Sequence, residues 1–391
     1  MIRALTAHTA EVDDVEAAVA EIVDQLDLKD RLLKNSVGLL SCYAEFIDAG
    51  IVKALCSALP FEVVGTTTLA TAARGSSETI LLSLMVLTSD DVSFSTGLSA
   101  PILSEDGAIL REAYEDAAAR LAGKPALILS YAPLLLNVGG DFFVRALDEA
   151  SGGVPNFGCI VVDHTENYAE SRVLRNGEPY TDRYAFVLVS GDISPRFFMA
   201  TISSETIFKD KGVVTSSQGN QLRSVSGLPV LEYLQKIGLP KGPDGSIFGV
   251  NTFPFVVDYG DGSTPIVRVI FAFTPEGYAV CGGNIPEGAI LSIGAINADE
   301  VVATTGQSYR EALALEKISC MLIFSCVGRY FALGYDPMGE VGVTHSLLDG
   351  TDVPYQFTYS GGELCPVSAR NAPGASTVNR NHNDTCVICV L

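Results

Sequence analysis

Apolar and polar positions along this chain form a pattern that occurs three times: an apolar strand, a helical stretch and a second apolar strand. The three copies open at Val37, Pro125 and Cys320, and each first strand ends in Ser followed by Cys or Tyr. Helices are predicted over 51–59 in the first copy and 141–150 in the second. Because apolar strands alternate with helices, the pattern predicts an α/β protein with mixed β-sheets flanked by helices.

The first two copies share an appended pair of apolar runs. Runs at 79–88 and 92–98 are joined by a short acidic turn, and runs at 184–189 and 196–203 by a second polar turn. Each pair is typical of a β-hairpin. We therefore predict that residues 1–205 form an internally duplicated domain.

A polar segment at 209–220 follows this duplication and predicts a domain boundary. The N-terminal domain is accordingly assigned to 1–205 and the C-terminal domain to 206–391. Helices predicted at 229–237 and 307–318 precede the third copy. Since open α/β sheets bind ligands at the carboxyl ends of their strands, we expect a site at those ends.

Charge and hydropathy exclude several classes of partner. The 391 residues carry a formal net charge of −21, which argues against nucleic acid and anionic membranes as partners. No apolar run approaches the roughly 20 residues of a membrane span, and no signal peptide is apparent. Several of the nine cysteines lie in apolar runs, as reduced buried thiols do. We expect a cytoplasmic protein with no nucleic-acid or membrane partner.

Common catalytic and metal-binding motifs are absent from the sequence. It contains no phosphate-binding glycine loop, no nucleophile elbow and no histidine pair at metal-ligand spacing. Cys386 and Cys389 lie three apart in an apolar strand, so they are expected to face opposite sides of a sheet. We therefore predict no metal, no cofactor and no catalytic residue.

The C-terminal region carries a group of short motifs. They are Cys326-x-x-Arg329, Tyr359-Ser360-Gly361-Gly362-Glu363, His382-Asn383-Asp384-Thr385, Pro229-Val230-Leu231-Glu232-Tyr233 after Gly219-Asn220, and Asn284-Ile285-Pro286-Glu287-Gly288. These motifs resemble the FIST (F-box and intracellular signal transduction) C-terminal domain. The N-terminal half, with Val37-Gly38-Leu39-Leu40 and Val64-Gly65, is similar to the FIST N-terminal domain.

The N-terminal half departs from that family at one point. The second strand of the family's N-terminal domain typically runs into Gly-x-x-x-x-Gly-Glu, whereas Gly65 is followed by threonines and no Gly-Glu. The resemblance implies two FIST-like domains and a sensory module in signal transduction, without catalysis. It further implies a small ligand such as an amino acid, and a signalling partner protein.

The polar residues of these motifs suit an amino acid or small carboxylate as ligand. Arg329 offers a rigid fork of five donors for a carboxylate, and Glu363 in a Gly-rich turn is suited to an ammonium group. The candidate ligand-binding residues are Arg329, Glu363, Ser360, Gly362, His382, Asn383, Thr66 and Thr67. We expect one site near the third copy, with residues 66–68 as its facing wall. In the alternative interpretation, Arg329 and Glu363 form a structural ion pair with each other.

Two other functions remain open at this point. A thiol hydrolase would use Cys326 with His382 and an acid, either Glu363 or Asp384, and needs the imidazole within hydrogen-bond reach of the thiol. A scaffold protein would bind no small ligand. His164 follows a strand of the second copy and is interpreted as a polar loop residue.

Overall fold

The structure, a computed structural model, describes residues 1–239, 252–368 and 377–391. Within these ranges the helices are α1 (Val15–Leu26), α2 (Leu28–Arg31), α3 (Glu45–Asp48), α4 (Ile51–Ala58), α5 (Gly107–Arg120), α6 (Gly140–Ser151), α7 (Val230–Lys236), α8 (Ala298–Leu313), α9 (Val327–Ala332) and α10 (Met338–Leu348).

The strands in the first half of the chain are β1 (Arg3–Thr9), β2 (Asn35–Cys42), β3 (Glu62–Thr67), β4 (Thr71–Ala73), β5 (Leu82–Ser89), β6 (Ser93–Leu98), β7 (Pro125–Ala132), β8 (Asn156–Ile160), β9 (Val173–Arg175), β10 (Glu178–Tyr180), β11 (Ala185–Ser190) and β12 (Arg196–Ala200). Those in the second half are β13 (Ile207–Gln218), β14 (Gln221–Val225), β15 (Leu228–Pro229), β16 (Phe255–Asp258), β17 (Ile266–Arg268), β18 (Ile270–Phe273), β19 (Ala279–Cys281), β20 (Ile290–Gly294), β21 (Met321–Cys326), β22 (Tyr355–Ser360), β23 (Gly362–Ser368), β24 (Thr377–His382) and β25 (Cys386–Val390).

Local sequence explains where the helices begin. The Asp14 carboxylate accepts a hydrogen bond from the Ala17 N–H at 3.0 Å and caps α1. Asn297 caps α8 in the same way, through the Glu300 N–H at 3.0 Å. The prediction of a helix over 307–318 is therefore wrong at its start, because the apolar face of α8 already begins at Val301.

The threefold repeat is confirmed as three parallel strand pairs, each in its own sheet. β2 pairs with β3, β7 with β8 and β21 with β22, and helices connect the two strands of every pair. Helical crossovers of this kind are what parallel neighbours require. The predicted fold class, α/β with mixed sheets flanked by helices, is confirmed.

The two predicted hairpins are wrong, because each appended strand crosses to the next sheet. β5 lies between β1 and β2 in the first sheet, whereas β6 pairs with β11 in the second. β11 lies between β6 and β7, whereas β12 pairs with β25 in the third sheet. Every residue of β5 and β11 is buried, as expected of central strands with a neighbour on both sides.

A second exchange fills the opposite edge of each sheet. β4 of the first copy pairs with β22 of the third, β9 of the second copy pairs with β3 of the first, and β23 of the third copy pairs with β8 of the second. Each sheet is thus completed by a strand from another copy, in a cyclic order. The sheets therefore span the predicted division at residue 205, since β23 from the second range pairs with β8 from the first.

The three sheets share one central core and have separate outer cores. Their inner faces pack together through residues such as Leu39, Leu129 and Phe324. Their outer faces pack against helices in three further clusters, which include Leu40, Ile128 and Ile323. The carboxyl ends of all three parallel pairs consequently lie around one axis.

Residues 206–239 and 252–297 form an additional antiparallel sheet with its own core, here named the insertion unit. The polar segment at 209–220, where the sequence predicts a domain boundary, belongs mostly to β13, a long central strand between β20 and β14. Its polar composition reflects an exposed face, with Val214 buried on the other. Across the described ranges, no helix combines the length and apolar character that crossing a bilayer requires.

Candidate functional site

Polar residues occupy the inner face of every sheet at the carboxyl end of its parallel pair. The residues that lie opposite each other there are Ser41 with Thr66, Tyr131 with Cys159, and Cys326 with Ser360. All six are buried. Because the inner faces of the three sheets pack together, these pairs converge on a single point, here named the central site.

The serines that end the three repeated strands are not equivalent in space. Ser41 faces inward and hydrogen bonds to Thr358 of the third copy at 2.8 Å. Ser130 and Ser325 belong to the outer faces, and Ser325 donates to Glu340 on α10 at 2.6 Å. Side chains alternate between the two faces of a strand. Ser41 lies two residues after the inward-facing Leu39 and faces inward. Ser130 and Ser325 directly follow the inward-facing Leu129 and Phe324 and therefore face outward.

Two carboxyl groups lie at the central site with no exposure to solvent. Glu363 is opposite Cys159 in the register of β23 and β8, and its Oε1 accepts from the Ser360 hydroxyl at 2.7 Å. Asp384 lies in the turn between β24 and β25, in the left-handed region with φ 48°. Among the described residues, no group donates to Glu363 Oε2 or to either carboxyl oxygen of Asp384.

The close approach of Asp384 explains a glycine in the third copy. A Cβ at position 328 would overlap Asp384 Oδ1, so only glycine fits where the chain leaves β21. Gly328 is itself only partly buried. The Asp384 carboxyl group therefore packs directly against the backbone at Gly328.

Burial determines the protonation of the groups at the central site. It raises the pKa of Asp384 to about 7 and the pKa of Glu363 well above its usual range. Burial likewise raises the pKa of the Cys326 thiol, and the neighbouring charges of Glu363 and Asp384 raise it further. Cys326 is consequently a thiol rather than a thiolate at neutral pH.

His382 is hydrogen bonded to Cys365 and not to Cys326. Burial lowers the pKa of His382 to about 4, and its Nε2 donates to the Cys365 carbonyl oxygen at 3.0 Å. The charged neighbours of its ring are Arg268 and Arg380, on the side of the insertion unit. The thiol hydrolase would need a Cys326–His382 hydrogen bond, and this structure does not form it.

Arg329 is committed to a buried ion pair. Its Nε donates to Glu340 Oε1 at 3.0 Å, and its Nη2 to the Thr305 hydroxyl at 2.7 Å and the Val301 carbonyl at 3.1 Å. The proposed Arg329–Glu363 ion pair is wrong, because Glu340 is the partner of Arg329. The available sequence signal was Glu340, the one acidic residue within helix α10.

The structure divides the remaining predicted site residues into two groups. Thr66, Ser360 and Glu363 meet at the central site, and Thr68 in the predicted facing wall donates to the Tyr359 carbonyl at 2.8 Å. The other predicted residues have different neighbours. Gly362 pairs through its backbone with Ile160, and the Thr67 hydroxyl accepts a hydrogen bond from the Arg172 N–H. His382 bonds to the Cys365 carbonyl, and the Asn383 side chain lies against Gly282 of the insertion unit.

Aromatic side chains from all three copies form a rim beside the central site. The Tyr43 ring stacks on His164 with a centroid distance of 4.7 Å, and Tyr330 meets Tyr335 edge to face at 5.6 Å. Burial raises the pKa of Tyr168 to about 12, and nearby Cys326 contributes to that shift. We call these five residues the aromatic rim. Tyr168 and Tyr335 have positive φ values, 55° and 67°, which are strained for tyrosine.

A cleft separates helix α6 from the insertion unit. Two adjoining cavities of about 640 and 530 Å³ lie there and share Asp141 and Asn284 in their walls. Arg268 is fully buried beside them, where it donates to Asp141 Oδ1 at 3.0 Å and to the Asn381 carbonyl at 2.8 Å. The ion pair with Asp141 joins the insertion unit to the second copy, and the hydrogen bond to Asn381 joins it to the third.

Metal ligands are not grouped in the described part of the chain: no three His, Cys, Asp or Glu side chains there are placed to hold an ion. All nine cysteines are free. Cys386 and Cys389 belong to an outer and the central core respectively, so they face opposite sides of β25 as predicted.

Comparison with protein families assigns the chain. The model of the FIST N domain matches residues 36–227, and that of the FIST C domain matches residues 230–366. The chain belongs to the FIST family. This confirms the resemblance drawn from the sequence motifs, and it shows that the FIST N and FIST C domains both contribute to the central site. Asp384 lies beyond the matched range of FIST C, and sequence reasoning did not include it among the ligand-binding residues.

Other comparisons give little beyond the family. A crystal structure of a cyanuric acid hydrolase from A. caulinodans is similar to this FIST chain over 99% of both chains, with 10% identity and a TM-score of 0.36. An identity and a TM-score this low assign no activity. No curated protein matches the chain.

Proposed function

We propose that this FIST protein is a cytoplasmic sensory module that binds a small polar ligand at the central site and signals through a partner protein. Family membership supports a sensory role in signal transduction. The observation that carries the proposed location is the pair of buried carboxyl groups, Glu363 and Asp384, with three oxygens that no described residue satisfies.

Such groups are costly to a fold. A buried polar atom without a hydrogen bond costs about 1–3 kcal/mol, and native proteins leave few of them. Desolvated acids with perturbed pKa values cluster at functional sites, where the pKa is matched to the task. A ligand that satisfies these oxygens would recover the cost, which favours a binding role for the central site.

Catalysis has less support at this site. Cys326 is the nucleophile candidate there, but burial and two neighbouring acids disfavour its thiolate. Its candidate base, His382, is bonded to Cys365. We therefore propose binding without turnover.

A thermal-shift screen tests the sensory proposal. Ligands that bind only the folded state raise the melting temperature, by an amount equivalent to about 2.7 kcal/mol at one hundred times Kd. We expect a stabilising small molecule whose effect is reduced in Thr66→Val and Ser360→Ala, two substitutions in the wall of the central site. Thr215→Val, on the exposed face of the insertion unit, is the matched control.

Two results would contradict the proposal. One is a broad library of amino acids, amines, carboxylates and sugars that leaves the melting temperature unchanged. The other is a stabilising ligand whose effect is the same in Thr66→Val and Ser360→Ala as in the wild type, since its site would then lie elsewhere.

A further inference from the structure

We propose that the central site receives the ammonium group of its ligand between the carboxyl groups of Glu363 and Asp384. The inference rests on the proposed function and names the chemical class that the site takes. It places Asp384, which no sequence motif assigned to binding, in direct contact with the ligand.

The acceptors at the central site match the donors of an ammonium group in number. Glu363 Oε2 and the two oxygens of Asp384 are buried and receive no hydrogen bond from a described residue. A primary ammonium group carries three N–H donors and no acceptor. Glu363 Oε1 already accepts from Ser360 at 2.7 Å, which leaves its other oxygen for the ligand.

Within the described ranges, no protein cation pairs with these acids. Arg329 is the charged neighbour whose field acts on both of them, but its guanidinium group pairs with Glu340 at 3.0 Å. Burial favours the protonated form of these two acids, and a cation stabilises their ionised form whereas a carboxylate or phosphate does not. The structure therefore favours a cation over the small carboxylate that Arg329 was expected to bind.

The surroundings of the two acids also suit a cation. Tyr168 lies near Cys326, and the edge-to-face pair of Tyr330 and Tyr335 lies beside it. Aromatic faces attract ammonium groups by about 0.5–2 kcal/mol, depending on desolvation. Gly328, which lies against the Asp384 carboxyl group, is only partly buried and places no side chain there.

Three probes of similar size separate the chemical classes: propylammonium, propionate and β-alanine. Thermal shift and titration calorimetry on the full chain measure their binding. We expect propylammonium and β-alanine to raise the melting temperature of the wild type and propionate to leave it unchanged. Glu363→Gln and Asp384→Asn should each weaken propylammonium binding at least tenfold, while Glu149→Gln, an acid in the wall of the cleft, should not.

The selectivity of the wild type alone keeps the inference testable if a variant folds poorly. Asn tolerates the left-handed backbone at position 384, so Asp384→Asn is the more conservative of the two variants. Stabilisation by propionate but not by propylammonium would overturn the ammonium assignment and leave a small-ligand sensor intact. If propylammonium binding were lost in Glu149→Gln but kept in Glu363→Gln and Asp384→Asn, the ligand would bind in the cleft, and the ammonium assignment would be overturned. If no probe binds, the assignment also fails, and the broad screen then decides the proposed function separately.

Discussion

Replacing Arg329 tests whether this residue stabilises the fold or binds a ligand. Its side chain has no exposure, and Glu340 beside it has none. Each nitrogen of the guanidinium group has an acceptor: Glu340 for Nε, the Ala200 carbonyl for Nη1, and Thr305 and Val301 for Nη2. Arg329→Met should therefore destabilise the protein rather than abolish one binding contact.

The magnitude follows from what remains after the substitution. Glu340 would keep the hydroxyl donors Ser325 and Thr305, each at 2.6 Å, but would lose the positive charge that balances it. Removing one partner of a buried ion pair costs about 3–5 kcal/mol, against a total stability of about 5–15 kcal/mol. The double variant Arg329→Met with Glu340→Leu should recover part of that loss, because it leaves no uncompensated buried charge.

Urea denaturation monitored by circular dichroism measures the effect as a shift of the unfolding midpoint. Arg74→Met is the matched control: Arg74 pairs with Asp352 at 3.2 Å on the surface, where ion pairs contribute little. The midpoint should fall clearly for Arg329→Met and remain unchanged for Arg74→Met. A variant with an unchanged midpoint and a lost ligand response would refute this reasoning and restore Arg329 to the binding site.

Three further predictions follow from burial and close packing. Burial raises the pKa of Asp384 from its usual 3.8 to about 7, so the folded state holds this proton more tightly than the unfolded state. Stability should therefore fall by up to about 4 kcal/mol as pH rises from about 4 to 7, and Asp384→Asn should flatten that part of the urea-midpoint profile. Gly158→Ala should lower the melting temperature sharply, since its Cβ would overlap a backbone carbonyl of β7, whereas Gly107→Ala has room and should not. Arg268→Met should remove the buried ion pair with Asp141 and speed amide hydrogen exchange in the insertion unit more than in the three sheets.

Local patterns in the sequence predicted the repeated units, and the structure confirms them. The parallel pairs, the helix α7 at 230–236 and the opposed cysteines of β25 all follow from short-range periodicity. The strand exchange did not follow from it. A polar turn between two apolar runs is the same signal whether the second run returns to its neighbour or continues to another sheet, so β6 and β12 were mistaken for hairpin partners.

The candidate site was predictable to a similar extent. The Gly-rich run at 359–363 indicated Glu363. The threonines at 66–68 were expected opposite the third copy; Thr68 does bond to Tyr359 there, whereas Thr67 bonds to Arg172 of the second copy. The partner of Arg329 was not predictable, because Glu340 reaches it from a helix whose apolar pattern gives no direction to a single acid. Asp384 was noted only as a possible hydrolase acid, since its importance depends on a backbone approach by Gly328 that no sequence spacing reveals.

The inequality of the three copies bears on how a ligand would be held. The cyclic exchange of strands places Ser41, Tyr131 and Cys326 at equivalent inner positions, so the scaffold is close to threefold in arrangement. The chemistry at that point is not threefold: the first two copies contribute neutral groups, and the carboxyl groups of Glu363 and Asp384 both come from the third. A charged group attracted to these acids would have one favoured direction of entry and one orientation rather than three equivalent ones. A sensor needs such a defined pose, because a ligand shifts a conformational equilibrium only through contacts that differ between two states of the protein.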